Sequence, residues 1–132
     1  MIPATPPLSP GLIAATLMAG GLGALLRFGV SRWMATEDPD RVPTLGTWVA
    51  NLAGAGAAGL GLWLHDLGLL GTEGWFVLSA GLLGALTTYS TWMLEVAVLL
   101  RSGARSRALR YLLGTMALGL LLASVGIGLS LR

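Results

Sequence analysis

Four long stretches of this chain are poor in charged residues, and they constrain its fold more than any other feature of the sequence. They run approximately over residues 11–33, 45–64, 74–100 and 108–131. A helix needs about 20 predominantly apolar residues to cross the hydrocarbon core of a bilayer. We therefore expect an all-α membrane protein in which residues 1–132 form a single domain of four transmembrane helices.

The composition excludes several classes of protein. Of the 132 residues, 55% are hydrophobic and 11% are charged, whereas a soluble domain carries roughly 25% charged residues. Cysteine is absent, which excludes disulfides and thiolate metal sites, and a single histidine, His65, makes a histidine-based cluster implausible. Because the spans contain so few ionisable side chains, we do not expect an enzyme. No basic stripe is interleaved with aromatic residues, so we expect no nucleic-acid partner.

The eight basic residues are all arginine, and most of them lie beside two of the three loops. Cytoplasmic loops of membrane proteins carry an excess of Lys and Arg. We therefore predict that loops one and three face the cytoplasm and that both termini face outward. The arginines concerned are Arg32 and Arg41 beside loop one, and Arg101, Arg105, Arg107 and Arg110 beside loop three, against Arg132 on the opposite side.

The third apolar run contains an unusual polar segment, GLLGALTTYSTW, in which five hydroxyl-bearing residues occupy positions 87–91. Gly81 and Gly84 allow the backbone to leave helical geometry, and nearby hydroxyls can satisfy the freed main-chain groups. Broken helices at membrane depth often coordinate ions through exposed carbonyls. The segment therefore predicts a break in the third helix.

Other polar residues in the spans each allow two interpretations. Asn51 and Thr47 share a face of span two, and they indicate either an interhelical hydrogen bond or a lining for a pathway. Arg27, near the end of span one, indicates either a side chain that reaches for the interface or a charge at a pore mouth.

Aromatic residues in the last two spans give a further pattern. Tyr89, Trp92 and Glu95 lie on one face of span three, too deep for an interfacial belt. Tyr111 and Thr115 share a face near the start of span four, where Tyr111 is well placed as an interfacial anchor.

Three motifs, in order on spans one to three, resemble those of the Fluc (CrcB) fluoride channels. Residues 20–28, GGLGALLRF, resemble the pattern GGxxGAxxRY, and residues 46–54, GTWVANLAG, resemble GTxxxNxxG. Residues 84–95, GALTTYSTWMLE, resemble GGxTTFSTFxxE, which is the most specific of the three. The resemblance extends from span one to span four.

This resemblance implies a dimer of two subunits arranged antiparallel in the plasma (inner) membrane, with two fluoride pores along the dimer interface. It also implies a central structural sodium ion, held by the backbone carbonyls of Gly84 and Thr87. The pore positions carried over by motif are Asn51, Tyr89, Ser90, Thr91 and Trp92. Further pore or vestibule candidates are Arg27, Thr47, Glu95, Tyr111 and Thr115.

The residue types agree with such a function, which would be passive export of fluoride from the cytoplasm. Fluoride holds its water tightly, so a pore must replace that water with hydrogen-bond donors, and amide and hydroxyl groups supply them. Aromatic ring edges carry partial positive charge and can face an anion. The sodium ion can be understood as a fixed positive charge that also holds the broken helix.

Two departures from the family pattern leave alternatives open. Tyr89 and Trp92 stand where the family has two phenylalanines, and the arginine distribution favours one orientation, which a self-pairing antiparallel dimer cannot use. The native assembly is therefore either a homodimer or a heterodimer with an oppositely oriented homologue, in which this chain conducts partly or not at all. A small four-span multidrug exporter needs a carboxylate deep in the membrane, and Glu95 lies too near the end of its span.

Overall fold

The computed structural model of the protein describes residues 3–35 and 44–130, and every regular element within those ranges is a helix. Arg41, Arg132 and most of loop one lie outside the described residues. In chain order the elements are α1 (Pro10–Trp33), α2 (Thr44–Asp66), α3 (Thr72–Phe76), a π-helical stretch (Val77–Leu83), α4 (Gly84–Leu86), α5 (Tyr89–Arg101) and α6 (Arg105–Ser130).

Within the described residues, three helical segments are long and apolar enough to cross a membrane: Pro10–Trp33, Thr72–Arg101 and Arg105–Leu129. The protein is therefore a multi-pass helical membrane protein. α2 has 23 residues, which is a sufficient length, but it is not among these segments. It is rich in glycine and alanine, and it carries Asn51 two turns from its start.

Helix ends are set by ordinary capping chemistry. α1 begins with Pro10, and the Ser9 hydroxyl caps it by accepting a hydrogen bond of 3.1 Å from the Leu12 N–H. α5 ends in a tight turn at Gly103, whose φ of 81° is readily adopted only by glycine. The Ala104 N–H then bonds back to the Leu99 carbonyl at 3.0 Å. This turn brings α6 directly against α5.

The segment 72–101 is interrupted once, at Thr87 and Thr88. Both residues have extended backbone, with φ and ψ of −79° and 153° at Thr87 and of −147° and 120° at Thr88. The wider π-helical stretch lies just before them, and such turns are frequent at functional sites. The segment thus consists of two helical halves, residues 72–86 and α5, joined by two extended residues.

Glycines allow α1 to pack with its backbone against the first of these halves. A methyl group on Gly23 would lie only 3.1 Å from the carbonyl carbon of Leu82, and one on Gly81 would lie 2.7 Å from the carbonyl oxygen of Thr16. Small residues at such contacts are typical of membrane helices. The other face of α1 packs against α2, and α2 in turn packs along α6.

α5 completes the bundle by packing against α6 and α2. Its contact with α6 is centred on Leu99 and Ala108, each of which is 1% exposed. Large apolar side chains cover much of the outside, including Leu17, Leu25 and Leu120, as expected where the solvent is lipid. The interruption at Thr87 and Thr88 lies beside α1 and α2.

Candidate functional site

Asn51 on α2 holds the interruption through two hydrogen bonds to one residue. The Thr88 N–H donates to Asn51 Oδ1 at 2.8 Å, and Asn51 Nδ2 donates to the Thr88 carbonyl at 3.1 Å. The carboxamide thus takes the place of a neighbouring peptide group for a residue that has left the helix. The Asn51 side chain is half-buried, so both bonds are partly sheltered from solvent.

The interruption leaves two main-chain oxygens without the N–H donors that a continuous helix would give them. In a continuous helix the Thr88 N–H would bond to the Gly84 carbonyl, and the Thr91 N–H would bond to the Thr87 carbonyl. Here the first donates to Asn51, and the second donates to Thr88 Oγ1 at 3.3 Å. Gly84 and Thr87 therefore present carbonyls without their helical donors, and oxygen atoms of this kind are the ligands that hard cations prefer.

Thr87 itself is fixed in place from two sides. Its hydroxyl donates to the Leu83 carbonyl at 2.8 Å, within its own half of the segment. Its methyl group sits directly over Gly54 of α2, where a side chain of any size would overlap it. The absence of a side chain at Gly54 is therefore what allows α2 to approach the interruption.

An open groove of about 540 Å³ runs along this part of the molecule, between α2, α5 and α6. Its apolar lining comes from Gly54, Leu83, Met116 and their neighbours. The groove is also lined by the two residues whose carbonyls lack helical donors and by polar and aromatic side chains from α2, α5 and α6. Together these residues are Asn51, Gly84, Thr87, Thr88, Tyr89, Trp92 and Thr115.

The two aromatic residues of the groove differ in exposure. Tyr89 is 72% exposed, whereas Trp92, one turn further along α5, is 9% exposed. Their rings meet edge to face, with centroids 6.0 Å apart and planes at 70°. The Trp92 indole nitrogen is buried and has no hydrogen-bond partner among the described residues.

A second, smaller cavity of about 270 Å³ lies on the α1 side of the interruption. Arg27 lines it together with Ser31, Thr47, Thr88 and Thr91. Thr88 is common to both cavities, and its hydroxyl donates to Thr91 Oγ1 at 3.0 Å. Arg27 thus lies beside hydroxyl groups, an arrangement that suits a vestibule for an anion.

Glu95 connects three helices through its two carboxylate oxygens. The Thr47 hydroxyl of α2 donates to Oε1 at 2.7 Å, and the Tyr111 hydroxyl of α6 donates to Oε2 at 2.6 Å. Glu95 and Thr47 are buried. The sequence favours Tyr111 as an interfacial anchor, but its hydroxyl instead makes this tertiary contact.

The remaining predicted site residues are placed less centrally. Ser90 is exposed and lines neither cavity. Thr115 lines the groove, but its hydroxyl donates to the Tyr111 carbonyl at 2.6 Å, within α6. The other site residues fall into three groups, one around the groove, one around the smaller cavity beside α1, and one around Glu95.

Thr88 is the residue that sequence reasoning passed over. It is the N-cap of α5, it bonds to Asn51, and it lines both cavities. A threonine that directly precedes a helical run is a common N-cap, and that signal was available in the sequence. Its pairing with Asn51 joins residues 37 positions apart, for which the sequence offers no local sign.

The described residues contain no group of three or more His, Asp or Glu side chains that could hold a metal ion. At Gly84 and Thr87 it is main-chain oxygens, whose helical donors bond elsewhere, that are available as ligands.

Comparison with known proteins gives a consistent result. The profile of a family described as CrcB-like protein, Camphor Resistance (CrcB), matches residues 14–127. A protein of Nocardia farcinica named "Fluoride-specific ion channel FluC 2" is 42% identical over 130 residues, covering 93% of this chain and 87% of the relative. A Rubrobacter xylanophilus protein named "Fluoride-specific ion channel FluC 1" is 40% identical, covering 90% and 93%. "Fluoride-specific ion channel FluC" of Thermus thermophilus is 38% identical, covering 83% and 85%.

Proposed function

The chain belongs to the CrcB family, and from this membership we propose that it is a fluoride-selective channel through which fluoride leaves the cytoplasm passively. Relatives that are 42%, 40% and 38% identical to this chain are named fluoride-specific ion channels, and ion channels are not enzymes. The observation that carries the proposal is the groove at Thr87 and Thr88, where a helix ends, another begins, and aromatic and hydroxyl groups meet.

The electrostatics of the interruption suit an anion on one side and a cation on the other. The N-terminus of α5 presents main-chain N–H groups and the positive end of a helix dipole, which favour an anion. The C-terminal end of the half formed by residues 72–86 presents carbonyl oxygens, which favour a cation. Half-helices that meet at membrane depth commonly divide their ligands in this way.

A structural sodium ion fits the carbonyls of Gly84 and Thr87. Their helical donors are diverted to Asn51 and to the Thr88 hydroxyl, so these oxygens need another partner. The ion would supply a fixed positive charge close to the path of the anion. One chain would supply one pair of carbonyl ligands, and a second copy of the chain would supply another pair.

The assembly that we propose is an antiparallel dimer with two pores along its interface. Tyr89, Ser90 and Thr91 are exposed on the surface of one chain, beside a groove that also holds Asn51 and Thr88. Polar groups that face lipid at this depth are costly, so the groove calls for protein or water against it. Pore donors would come from Asn51, Ser90 and Thr91, with the ring edges of Tyr89 and Trp92.

α2 acts as the fourth span in this proposal, within a single domain in the inner membrane. Its small residues place it against α1, α6 and the interruption, for example at Gly54. A helix surrounded by other helices needs less apolar surface than one that faces lipid. The length of 23 residues is enough to cross the hydrocarbon core.

A second candidate is a subunit that conducts partly or not at all and completes a heterodimeric channel. The observations that favour it are the Tyr89 hydroxyl and Trp92 N–H at positions where the family has phenylalanine, and the arginines crowded beside loop three. In that case an oppositely oriented homologue supplies the other face of the interface.

Efflux from liposomes tests the proposal directly. Purified chain is reconstituted into liposomes loaded with potassium fluoride or potassium chloride, and release is followed with ion-selective electrodes. We expect fluoride to leave rapidly and chloride to remain at the level of protein-free liposomes. Chloride release as fast as fluoride release would refute the selectivity, and no fluoride release from correctly folded protein would favour the heterodimer.

A further inference from the structure

Four arginines crowd the junction of α5 and α6, and the chain around them offers no counter-charge. Arg101, Arg105, Arg107 and Arg110, which we call the junction arginines, are all exposed. No Asp or Glu occurs in the sequence after Glu95, and both oxygens of that carboxylate already accept hydrogen bonds inside the bundle. None of the four lines the groove or the smaller cavity beside α1.

The turn between α5 and α6 holds the junction arginines of both helices at one end of the bundle. Gly103, with a φ of 81°, allows the chain to reverse its direction. The Ala104 N–H and the Ser102 hydroxyl both donate to the Leu99 carbonyl, each at 3.0 Å. Leu99 and Ala108 pack across the turn and are each 1% exposed. The positive charges therefore lie on a well-packed surface and not on a free loop.

Two of the junction arginines lie at the end of an apolar face that turns away from the groove. Leu118 follows Arg107, and Leu121 follows Arg110, at a distance of about three helical turns, so each pair shares a face of α6. The two leucines are 40% and 59% exposed, and neither lines the groove. Since the membrane-spanning segment begins at Arg105, this face meets lipid, and its arginines lie at the depth of the headgroups.

The charge at this end of the bundle is not balanced by the rest of the chain. Loops one and three and the helix turns beside them contain six arginines against three acids, Glu37, Asp38 and Asp40, and these acids lie outside the described residues. Loop two, at the other end, contains Asp66 and Glu73 but no Arg or Lys. An excess of basic side chains beside a membrane-spanning helix is attracted to anionic lipid.

We propose that the junction arginines form a binding surface for the phosphate headgroups of anionic phospholipids. This inference does not depend on which ion the protein conducts. A guanidinium group donates two parallel hydrogen bonds to phosphate oxygens, and its charge is attracted to an anionic leaflet. A zwitterionic headgroup carries its own cation beside the phosphate, so it gains less from the same arginines. Bound lipid anchors the shared end of α5 and α6 at the membrane surface.

Native mass spectrometry of the full chain in a neutral detergent tests the proposal whatever the orientation of the chain in a membrane. The protein is mixed with equal amounts of phosphatidylglycerol and phosphatidylcholine that have the same acyl chains, and the bound lipids are counted. We expect phosphatidylglycerol adducts to exceed phosphatidylcholine adducts at least about fivefold. Equal numbers of the two adducts on the wild-type protein would overturn the proposal without any variant.

Arg107→Gln with Arg110→Gln locates the bound lipid. We expect this double variant to lower the ratio of the two adducts at least about threefold, because two charged phosphate donors are lost. Both side chains are exposed, so the fold should tolerate the change. The matched control is Arg107→Lys with Arg110→Lys, which keeps the charge and should keep most of the preference. An unchanged ratio in the glutamine variant would mean that the lipid binds elsewhere, which contradicts the proposal.

A competition distinguishes a lipid headgroup from free phosphate. The lipid mixture is added to wild-type protein in excess inorganic phosphate or in acetate of the same ionic strength. We expect the same phosphatidylglycerol adducts in both, because the acyl chains also contact the apolar face of α6. Adducts lost in phosphate alone would assign the surface to free phosphate and overturn the lipid proposal. Absent fluoride efflux with an intact lipid preference would refute the channel function and leave this inference standing.

Discussion

Asn51 shows how one side chain can hold two extended residues in place. Its sequence position left open whether it makes an interhelical bond or lines a pore, and its two bonds to Thr88 establish the first role. A carboxamide has two N–H donors, and the bond to the Thr88 carbonyl uses one of them. Asn51 therefore positions the extended residues and keeps one donor for the groove that it lines.

Asn51→Asp tests this positioning role. The aspartate would place an oxygen opposite the Thr88 carbonyl and lose the donor that now satisfies it. We expect the free energy of unfolding to fall by about 1–3 kcal/mol, and fluoride efflux to fall at least tenfold because the groove loses its shape. Thermal unfolding in detergent and liposome efflux measure the two effects.

Thr47→Val provides the comparison for that experiment. It lies one turn earlier on α2 and removes a single bond, to Glu95, without touching Thr88. Since Tyr111 still donates to Glu95, we expect a loss of only about 1 kcal/mol. Wild-type stability and efflux in Asn51→Asp would show that the pairing with Thr88 does not hold the interruption.

The hydroxyl groups of the third span are not equivalent, although they look so in the sequence. The Thr87 hydroxyl donates to its own helix half, and the Thr88 hydroxyl donates to Thr91. In this arrangement the hydroxyls of Ser90 and Thr91 remain the better donors for an anion. The sequence predicts the cluster, and the choice among its members depends on which carbonyl or hydroxyl each one reaches.

Between elements, the contact of α1 with residues 72–86 fixes where the interruption lies. Gly23 and Gly81 bring main chain against main chain, so neither helix can slide without a clash. Gly21, by contrast, lies on the exposed side of α1, and a methyl group there would meet nothing within 4 Å. Two glycines in one motif, GGLG, therefore have different roles.

Substitution of these two glycines by alanine tests the contact. Gly23→Ala should destabilise the protein by about 1–3 kcal/mol, as overpacking against rigid backbone does. Gly21→Ala should be neutral or stabilising by up to about 1 kcal/mol, since alanine is the better helix former. Melting temperatures in detergent measure both. Equal effects of the two changes would mean that α1 does not pack closely on residues 72–86.

At the scale of the molecule, one chain leaves the groove beside Thr87 and Thr88 open on its surface. The arginines at the junction of α5 and α6 are exposed, which leaves them free to face the cytoplasm. An antiparallel homodimer needs copies in both orientations, whereas the arginine distribution favours one orientation. The charge bias therefore disfavours a homodimer. The orientation of the chain in cells decides between homodimer and heterodimer.

We expect the chain expressed alone to insert mostly with its C-terminus outside. A C-terminal reporter that is active only in the cytoplasm should then give a minor signal. Replacing Arg105, Arg107 and Arg110 with Gln should raise that signal several-fold, because the bias of loop three is removed. Ser102→Gln with Ser106→Gln, which alters the same region without changing charge, serves as the control. Full reporter activity in the wild type would contradict the prediction.

The sequence by itself determined the class of the protein and the family. Apolar runs of this length indicate membrane-spanning helices, and comparison with known proteins confirms the family over residues 14–127. These properties are local or nearly so, since hydropathy is summed over about 20 neighbouring residues and a motif is read from consecutive letters.

The tertiary structure decided which polar groups become partners. Asn51 meets Thr88 from 37 residues away, and Thr47 meets Glu95 from 48 residues away. Tyr111 turns its hydroxyl to Glu95, and the Trp92 N–H has no acceptor within the part of the chain that the structure describes. Periodicity predicts the face of a helix on which a side chain lies, but hydrogen bonds form over about 3 Å. Only the rotation and close approach of packed helices determine which donor comes within that distance of which acceptor.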